Sequence, residues 1–292
     1  MTKPHALLPA AAAGRLTLGG DLTVNRLGFG AMRITGKGVF GPPEDPDEVV
    51  RVLRRAVELG VNFIDTADSY GPDYSEKMIA KALHPYPKGL VIATKAGFTR
   101  PGPDKWDLDC NPVRLRKQLE GSLRKLKVER IDLWQLHRID SKYPREDQFN
   151  LLADFIREGK VKHVGLSEVS VEDIKDARKV VPIVSVQNRY NIADREWDSV
   201  IDYCLEEKIT FIAWYPLGAG MRVANARSKQ ARLKSVAKRV GATPYQVAIA
   251  WLLRRSPVML PIPGTSKVAH LEENVAAASL ELSEADLSEL SA

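Results

Sequence analysis

Eight short apolar runs, each followed by apolar residues at helical spacing, set the main constraint on how this chain can fold. The runs are Leu27–Gly30, Val61–Ile64, Leu90–Thr94, Ile131–Leu136, Val161–Leu166, Ile183–Val186, Thr210–Ala213 and Val258–Ile262. The first helix opens at Asp45-Pro46, carries Val49, Val50, Leu53, Ala56 and Val57, and ends at Gly60. Others are expected over Ser75–Leu83, from Asn111-Pro112, and over Asp147–Glu158, Val171–Lys179, Glu196–Glu207, Ala224–Val240 and Pro244–Arg254. Eight strand–helix units in 292 residues predict an α/β protein folded as a (β/α)8 TIM barrel, with a doubly wound open sheet as the alternative. Arg15–Leu18 and Leu22–Val24 alternate around Gly19-Gly20-Asp21 and read as an N-terminal β-hairpin closing one end. A helix over Leu282–Leu290 is an extra C-terminal element. Gly28-Phe29-Gly30 is no dinucleotide fingerprint, because Arg33 stands at the third glycine position and a long Gly/Pro-rich loop, Ala31–Asp47, follows.

Composition narrows the function. There are 43 basic against 37 acidic residues, a mild excess without a dense tract. The densest run, Arg114–Arg130, carries Leu115, Leu119, Leu123 and Leu126 at helical spacing, so its charges read as the solvated face of a helix. Nucleic acid is therefore not an expected partner. Cys110 and Cys204 lie in unrelated contexts, with no CxxC or Cys/His spacing, so neither a disulfide framework nor a metal site is expected. Met1–Gly14 has only a short apolar stretch, interrupted by Pro9, and reads as a flexible leader; residues 15–292 read as one domain. No apolar run is long enough to span a bilayer, and the expectation is a cytoplasmic monomer acting on a small molecule.

In a barrel, the residues at the carboxyl ends of the strands share one face, where such folds keep their chemistry. Here they are Asp65, Lys95, His137, Ser167, Gln187, Trp214 and Gly264-Thr265. Asp65, Lys95 and His137 come from adjacent strands, and Tyr70, five residues after Asp65, can fold back over them. An ammonium beside a phenol favours the phenolate and would draw the tyrosine toward the working range; a carboxylate would hold the lysine. A neighbouring histidine would orient a carbonyl oxygen. Such a site protonates a carbonyl oxygen but contains no source of electrons, which implies a nicotinamide cofactor.

The stretches GVNFIDTADSYG, VIATKAGF, LWQLHRID, VGLSE, VQNRYN, WYPLG and LPIPGTSKVAHLEEN, in this order and on these elements, resemble the aldo-keto reductases from the first strand to the last helices. The resemblance implies a barrel binding NADPH in an extended pose and passing hydride to an aldehyde or ketone. It makes Tyr70 the general acid, Lys95 its tuner, Asp65 the partner of Lys95, and His137 the group that orients the carbonyl. Ser167 and Gln187 would hold the nicotinamide carboxamide, and Trp214 would stack on its ring. Leu217 and Gly218 would follow the pyrophosphate, with Gly30, Met32, Tyr215 and Pro216 completing the groove. Thr265, Ser266 and Lys267 would meet the 2′-phosphate, with His270, Glu273 and Asn274 at the adenine end.

Three positions depart from the family pattern: Glu168 replaces a frequent asparagine, His270 a frequent arginine and Gly264 a frequent lysine. Fewer permanent charges would meet the 2′-phosphate, and Lys267 would carry more of the NADP preference. Each residue taken alone has a plainer reading: Asp65 as a turn cap, Lys95 as a solvated strand end, His137 as a backbone-bonded histidine, Trp214 as core, Thr265–Lys267 as a helix cap. A Schiff-base lyase using Lys95 and a non-catalytic NADPH-binding barrel, like the channel β-subunits, are the competing functions. Met32, Trp106 and Tyr86 would line the substrate mouth or simply pack at the surface. The loop Gly38–Asp45 resembles that of bacterial pyridoxal-reductase-like members.

Overall fold

A computed structural model describes residues 8–218 and 226–291. The chain opens with an antiparallel hairpin, β1 (Arg15–Leu18) and β2 (Leu22–Asn25), followed by β3 (Phe29–Gly30), α1 (Pro46–Glu58), β4 (Phe63–Asp65) and α2 (Tyr74–Leu83). Next come β5 (Val91–Ala96), a second hairpin of β6 (Phe98–Gly102) and β7 (Lys105–Leu108), α3 (Pro112–Leu126), β8 (Ile131–Leu136) and α4 (Arg145–Arg157). Then follow β9 (Val161–Ser167), α5 (Val171–Arg178), β10 (Ile183–Arg189), α6 (Asp198–Glu206) and β11 (Thr210–Trp214). The chain ends with α7 (Ala226–Val240), α8 (Pro244–Arg255), β12 (Met259–Pro261), α9 (Val268–Ala276) and α10 (Glu284–Ser291).

The eight parallel strands run in the order β3-β4-β5-β8-β9-β10-β11-β12. Two backbone bonds, from the Gly28 amide to the Pro261 carbonyl (3.0 Å) and from Gly30 to Pro263 (3.3 Å), bring the first strand onto the last. The fold is therefore the (β/α)8 barrel, not the open sheet. Its helices start where side chains can satisfy free amides: Asp45 accepts from Glu48 N, Asn111 from Val113 and Arg114, and Ser170 and Thr243 form capping boxes with Asp173 and Gln246.

Inside the ring, Phe63, Val91, Ala93, Leu133, Ile212 and Leu260 pack against Leu18, Leu22 and Val24 of the first hairpin. Burying such side chains stabilises by about 1.5–3 kcal/mol each. The hairpin meets the amino-terminal starts of the strands and plugs that end, so the open end carries the strand termini picked out above.

Three expectations need correction. The segment read as a flexible leader is docked from Pro9 onward: Pro9–Ala13 forms a 3-10 turn, Ala10 is fully buried, and its amide bonds the Leu59 carbonyl at 2.9 Å. Small alanines let this turn lie flat on the barrel floor. The β6–β7 hairpin was missed, because Pro101, Pro103 and half-exposed charged residues hide its alternation. Helix α4 begins at Arg145, ahead of the expected Asp147. The expected helix start at Ala224 lies outside the described residues, within which α7 runs from Ala226.

One buried charge cluster ties α2 and α3 to the barrel. Glu76 is fully buried, accepts from Thr94 Oγ1 at 2.7 Å, and pairs with Lys125 Nζ at 2.8 Å. Removing the lysine would leave a carboxylate in the interior with no countercharge. Lys125→Met should therefore cost about 3–5 kcal/mol in urea unfolding, and adding Glu76→Gln should recover part of it. A loss no larger for the single variant than for the double would contradict this account.

Candidate active site

Asp65 ends β4 and Lys95 lies near the end of β5; both point into the ring, at 2% and 0% exposure. Their contact is short, Nζ to Oδ1 2.6 Å. The ammonium also donates to the Thr66 carbonyl (2.8 Å), while Asp65 Oδ2 accepts from Gln187 Nε2 (2.8 Å) and Gln135 Nε2 (3.2 Å). Every oxygen of the acid is thus engaged inside the barrel. Tyr70 folds back over the pair, its ring centre 5.2 Å from Lys95 Nζ. Gly71 makes that return possible: at φ +75° its hydrogen sits where a Cβ would press on Thr35 and Tyr74 at 2.9 Å. His137, from the end of β8, meets Tyr70 edge-on with centroids 6.0 Å apart. The four residues come together as the sequence implied.

Their electrostatics differ from the expectation. The Tyr70 hydroxyl is pushed up, first by burial and then by the Asp65 charge, and only partly drawn back by Arg138 and Arg100. The Lys95 ammonium, held 2.6 Å from Asp65, does not offset that rise. Burial also depresses Lys95 itself, against the opposing pull of Asp65. His137 is held well below its ordinary value, by burial first and then by Lys95 and Arg138. Its Nδ1 has no hydrogen-bond partner among the described residues, and Phe98 closes over the ring at a centroid distance of 4.8 Å. The site therefore contains a protonated phenol and a neutral imidazole, two hydrogen-bond donors side by side with ring centres 6.0 Å apart.

A cleft of about 330 Å³ runs from this cluster along the open end of the barrel. Gly30, Met32, Asp65, Gln187 and Trp214 line it near Tyr70, and Tyr215, Pro216, Leu217 and Gly218 continue one wall. Gly264 and Thr265 face them, with His270, Glu273 and Asn274 at the far end. Gly218 turns at φ +54°, with a Cβ position only 3.2 Å from Asn191 Oδ1, so the wall there is backbone. Asn274 is buried, yet its side-chain amide makes no hydrogen bond among the described residues. A long cleft with a backbone wall, a flat aromatic near one end and an unpaired amide at the other fits an extended dinucleotide.

Some expected contacts are placed differently. Ser266 and Lys267 line a neighbouring polar cleft of about 540 Å³. Ser167 and Glu168 are not in the wall of either. Ser167 Oγ accepts from Arg138 at 2.9 Å. Glu168, at φ +56°, accepts from Trp214 Nε1 and from the Arg189 amide, both at 2.6 Å. Its carboxylate is committed to fixing the indole, which only the fold could reveal. Gln187 lines the cleft, but its amide nitrogen is engaged by Asp65. Sequence reasoning missed Arg33 and Tyr245, both cleft residues, and neither sits in a recognisable motif. Trp106 does reach the site, edge-on to Tyr70 at 6.3 Å, whereas Tyr86 bonds the Leu126 carbonyl away from it. Among the described residues there is no cluster of His, Cys, Asp or Glu able to hold a metal, and no helix long and apolar enough to cross a membrane.

Two outcomes follow from this arrangement. Glu168→Ala leaves the indole N–H and an amide without an acceptor and should cost about 1–3 kcal/mol in urea unfolding, whereas Glu168→Gln should keep most of it. His137 stays neutral in the fold at pH values where the unfolded chain, near 6.5, takes a proton. Its burial therefore costs nothing above that value and destabilises the protein as pH falls below it. Thermal melts from pH 7.5 to about 5 should fall less steeply for His137→Gln than for the wild type; parallel curves would refute the assignment.

Residues 26–292 match the model of the Aldo/keto reductase family. An uncharacterised oxidoreductase of Schizosaccharomyces pombe is 50% identical over 97% of this chain and 90% of its own. Pyridoxine 4-dehydrogenase of Escherichia coli is 44% identical over 93% of this chain and 95% of its own. The glycerol dehydrogenase of Gluconobacter oxydans superposes with a TM-score of 0.86 at 25% identity, covering 96% of this chain and 94% of that structure. The match spans every strand of the barrel and every residue of the buried cluster, and the chain accordingly belongs to the aldo/keto reductase family of NAD(P)H-dependent oxidoreductases.

Proposed function

We propose that the protein reduces aldehydes or ketones to alcohols with NADPH, using Tyr70 as general acid. The observation that carries this reading is the Lys95–Asp65 pair, sealed from water under the Tyr70 ring with neutral His137 beside it. Bound NADPH would supply the hydride that reaches the carbonyl carbon. Tyr70 gives its proton to the carbonyl oxygen, so that negative charge never has to persist there. His137, neutral, donates a hydrogen bond to the same oxygen and fixes its orientation. Lys95 then stabilises the phenolate left behind, a state in which its charge matters more than in the resting enzyme. The raised Tyr70 pKa suits this order: the phenol is fully protonated before turnover.

The cleft residues from Trp214 to Gly218 and from Gly264 to Asn274 would hold the cofactor, with the 2′-phosphate end toward Ser266 and Lys267. Beside Tyr70 and His137 lie Phe98 and Trp106, whose rings meet at 5.6 Å, and the Arg138 guanidinium 5.7 Å from Phe98, and these would form the substrate walls. A flat aromatic aldehyde of the pyridoxal class suits those walls. Support comes from the Gly38–Asp45 loop and from the relative named as a pyridoxine dehydrogenase. Lys95 has no exposure and two hydrogen bonds, which weighs against a Schiff-base lyase.

The test is NADPH oxidation by wild type and Tyr70→Phe against pyridoxal, methylglyoxal and 4-nitrobenzaldehyde. Loss of the hydroxyl should lower kcat by about 10²–10⁴-fold, with NADPH binding kept. Unchanged turnover in Tyr70→Phe would remove Tyr70 from the acid role. Binding without turnover on any carbonyl would favour a non-catalytic barrel.

A further inference from the structure

Gly264 lines both clefts, and the backbone leaves no room for a cationic side chain there. A Cβ at Gly264 would lie 2.3 Å from the Gly30 carbonyl oxygen, so no side chain fits. The nearest side-chain atom to that position is Cγ of Arg33, at 3.7 Å. Arg33 leaves a short 3-10 turn, Ala31–Ile34, whose two end residues are fully buried. Its backbone is anchored, and its guanidinium is exposed where the 330 Å³ and 540 Å³ clefts join. Arg33 makes no hydrogen bond or ion pair with any described residue.

Lys267, the cation expected to carry the charge, lines the polar cleft but not the cleft that reaches Tyr70. It shares the polar cleft with Asp45 and Glu44. Glu48 accepts from the Val268 amide at the start of α9 (3.1 Å), and its carboxyl is held low by that amide first, by Arg51 next, and by Lys267 last. The first amide of α9 is thus taken by a side chain from α1. Glu48 is offset in turn by Arg51 at 2.8 Å. Arg33 is the one lysine or arginine among the described residues that lines both clefts.

We propose that Arg33 binds the 2′-phosphate of the cofactor and sets the preference for NADPH over NADH, in place of a cation at position 264. This rests on the NADPH reading above. A guanidinium matches a phosphate with two parallel N–H donors, a geometry a lysine cannot supply. The charge reaches the phosphate from the β3 side of the cleft instead of from the β12 loop, and Gly264 leaves it room.

The experiment is a titration of the full chain with NADPH and with NADH, followed by quenching of tryptophan fluorescence, since Trp214 lines the cleft. Wild type, Arg33→Gln, Arg33→Lys and Lys267→Gln are compared, each checked by thermal melting. Arg33→Gln should weaken NADPH about tenfold or more, the scale of one charge-assisted contact, and leave NADH within about twofold. Arg33→Lys should fall between, and Lys267→Gln should lose less than Arg33→Gln. Equal losses for both cofactors, or an Arg33→Gln protein that binds NADPH like wild type, would overturn the assignment. A wild type that binds neither cofactor would instead sink the NADPH reading, and the role of Arg33 with it.

Discussion

The Lys95–Asp65 contact is the interaction on which the open end of this barrel depends, and its energetics are not those of a simple ion pair. Two unit charges 4 Å apart attract by about 4 kcal/mol at an effective dielectric constant of 20. Stripping water from each ion costs several kcal/mol. On Coulomb attraction alone the pair would roughly break even. What tips the balance is the set of neutral partners around it: Gln135 and Gln187 on the second carboxylate oxygen, and the Thr66 carbonyl on the ammonium. These come from β8, β10 and the turn after β4, so the pair forms only when the ring of strands has closed. It is a consequence of the fold and at the same time a lock on it.

From that lock the rest of the site follows. With Lys95 compensated, the phenol above it sees the acid more than the base and keeps its proton. With the lysine charge still close, His137 avoids a second positive charge and stays neutral. Burial drives both effects in the same direction, toward groups that donate hydrogen bonds without carrying charge. A carbonyl oxygen placed between them would meet two donors in a water-poor chamber, where such contacts are stronger than in solution.

The walls of the chamber come from excursions of the barrel, and one side chain gathers them. Arg100, on the β6–β7 hairpin, donates to the carbonyls of Gly38, Val39, Ser69 and Lys105 and lies 3.6 Å from the centre of the Trp106 ring. Three separate stretches of backbone meet at that guanidinium, including the residue just before Tyr70. The long loop after β3 is thereby held to the hairpin, which sets Trp106 edge-on to Tyr70. Small-molecule selectivity in this fold is carried by such inserted segments, while the strand ends keep the chemistry constant.

Local chain chemistry determined a great deal here. The alternation of apolar runs with helical stripes required a parallel sheet covered by helices, since each strand needs a covered face and each helix supplies one. Eight such units pointed to a barrel, whose closure the backbone bonds between β3 and the end of β12 decided. Apolar strands that stop at Asp65, Lys95 and His137 marked the reactive end, because a charged or polar residue at such a stop is too costly to hide without a purpose. Features set by distant partners were not legible in this way. The commitment of Glu168 to the Trp214 indole joins β9 to β11, and the exclusion of any side chain at Gly264 comes from a carbonyl on β3. The polar, proline-containing strands of the Phe98–Leu108 hairpin gave no periodic signal. The direction of the Tyr70 shift depends on burial and on the sum of three charges, none of them its sequence neighbour. Sequence patterns carry backbone preference and amphipathic period; desolvation and long-range fields exist only once the chain has closed around them.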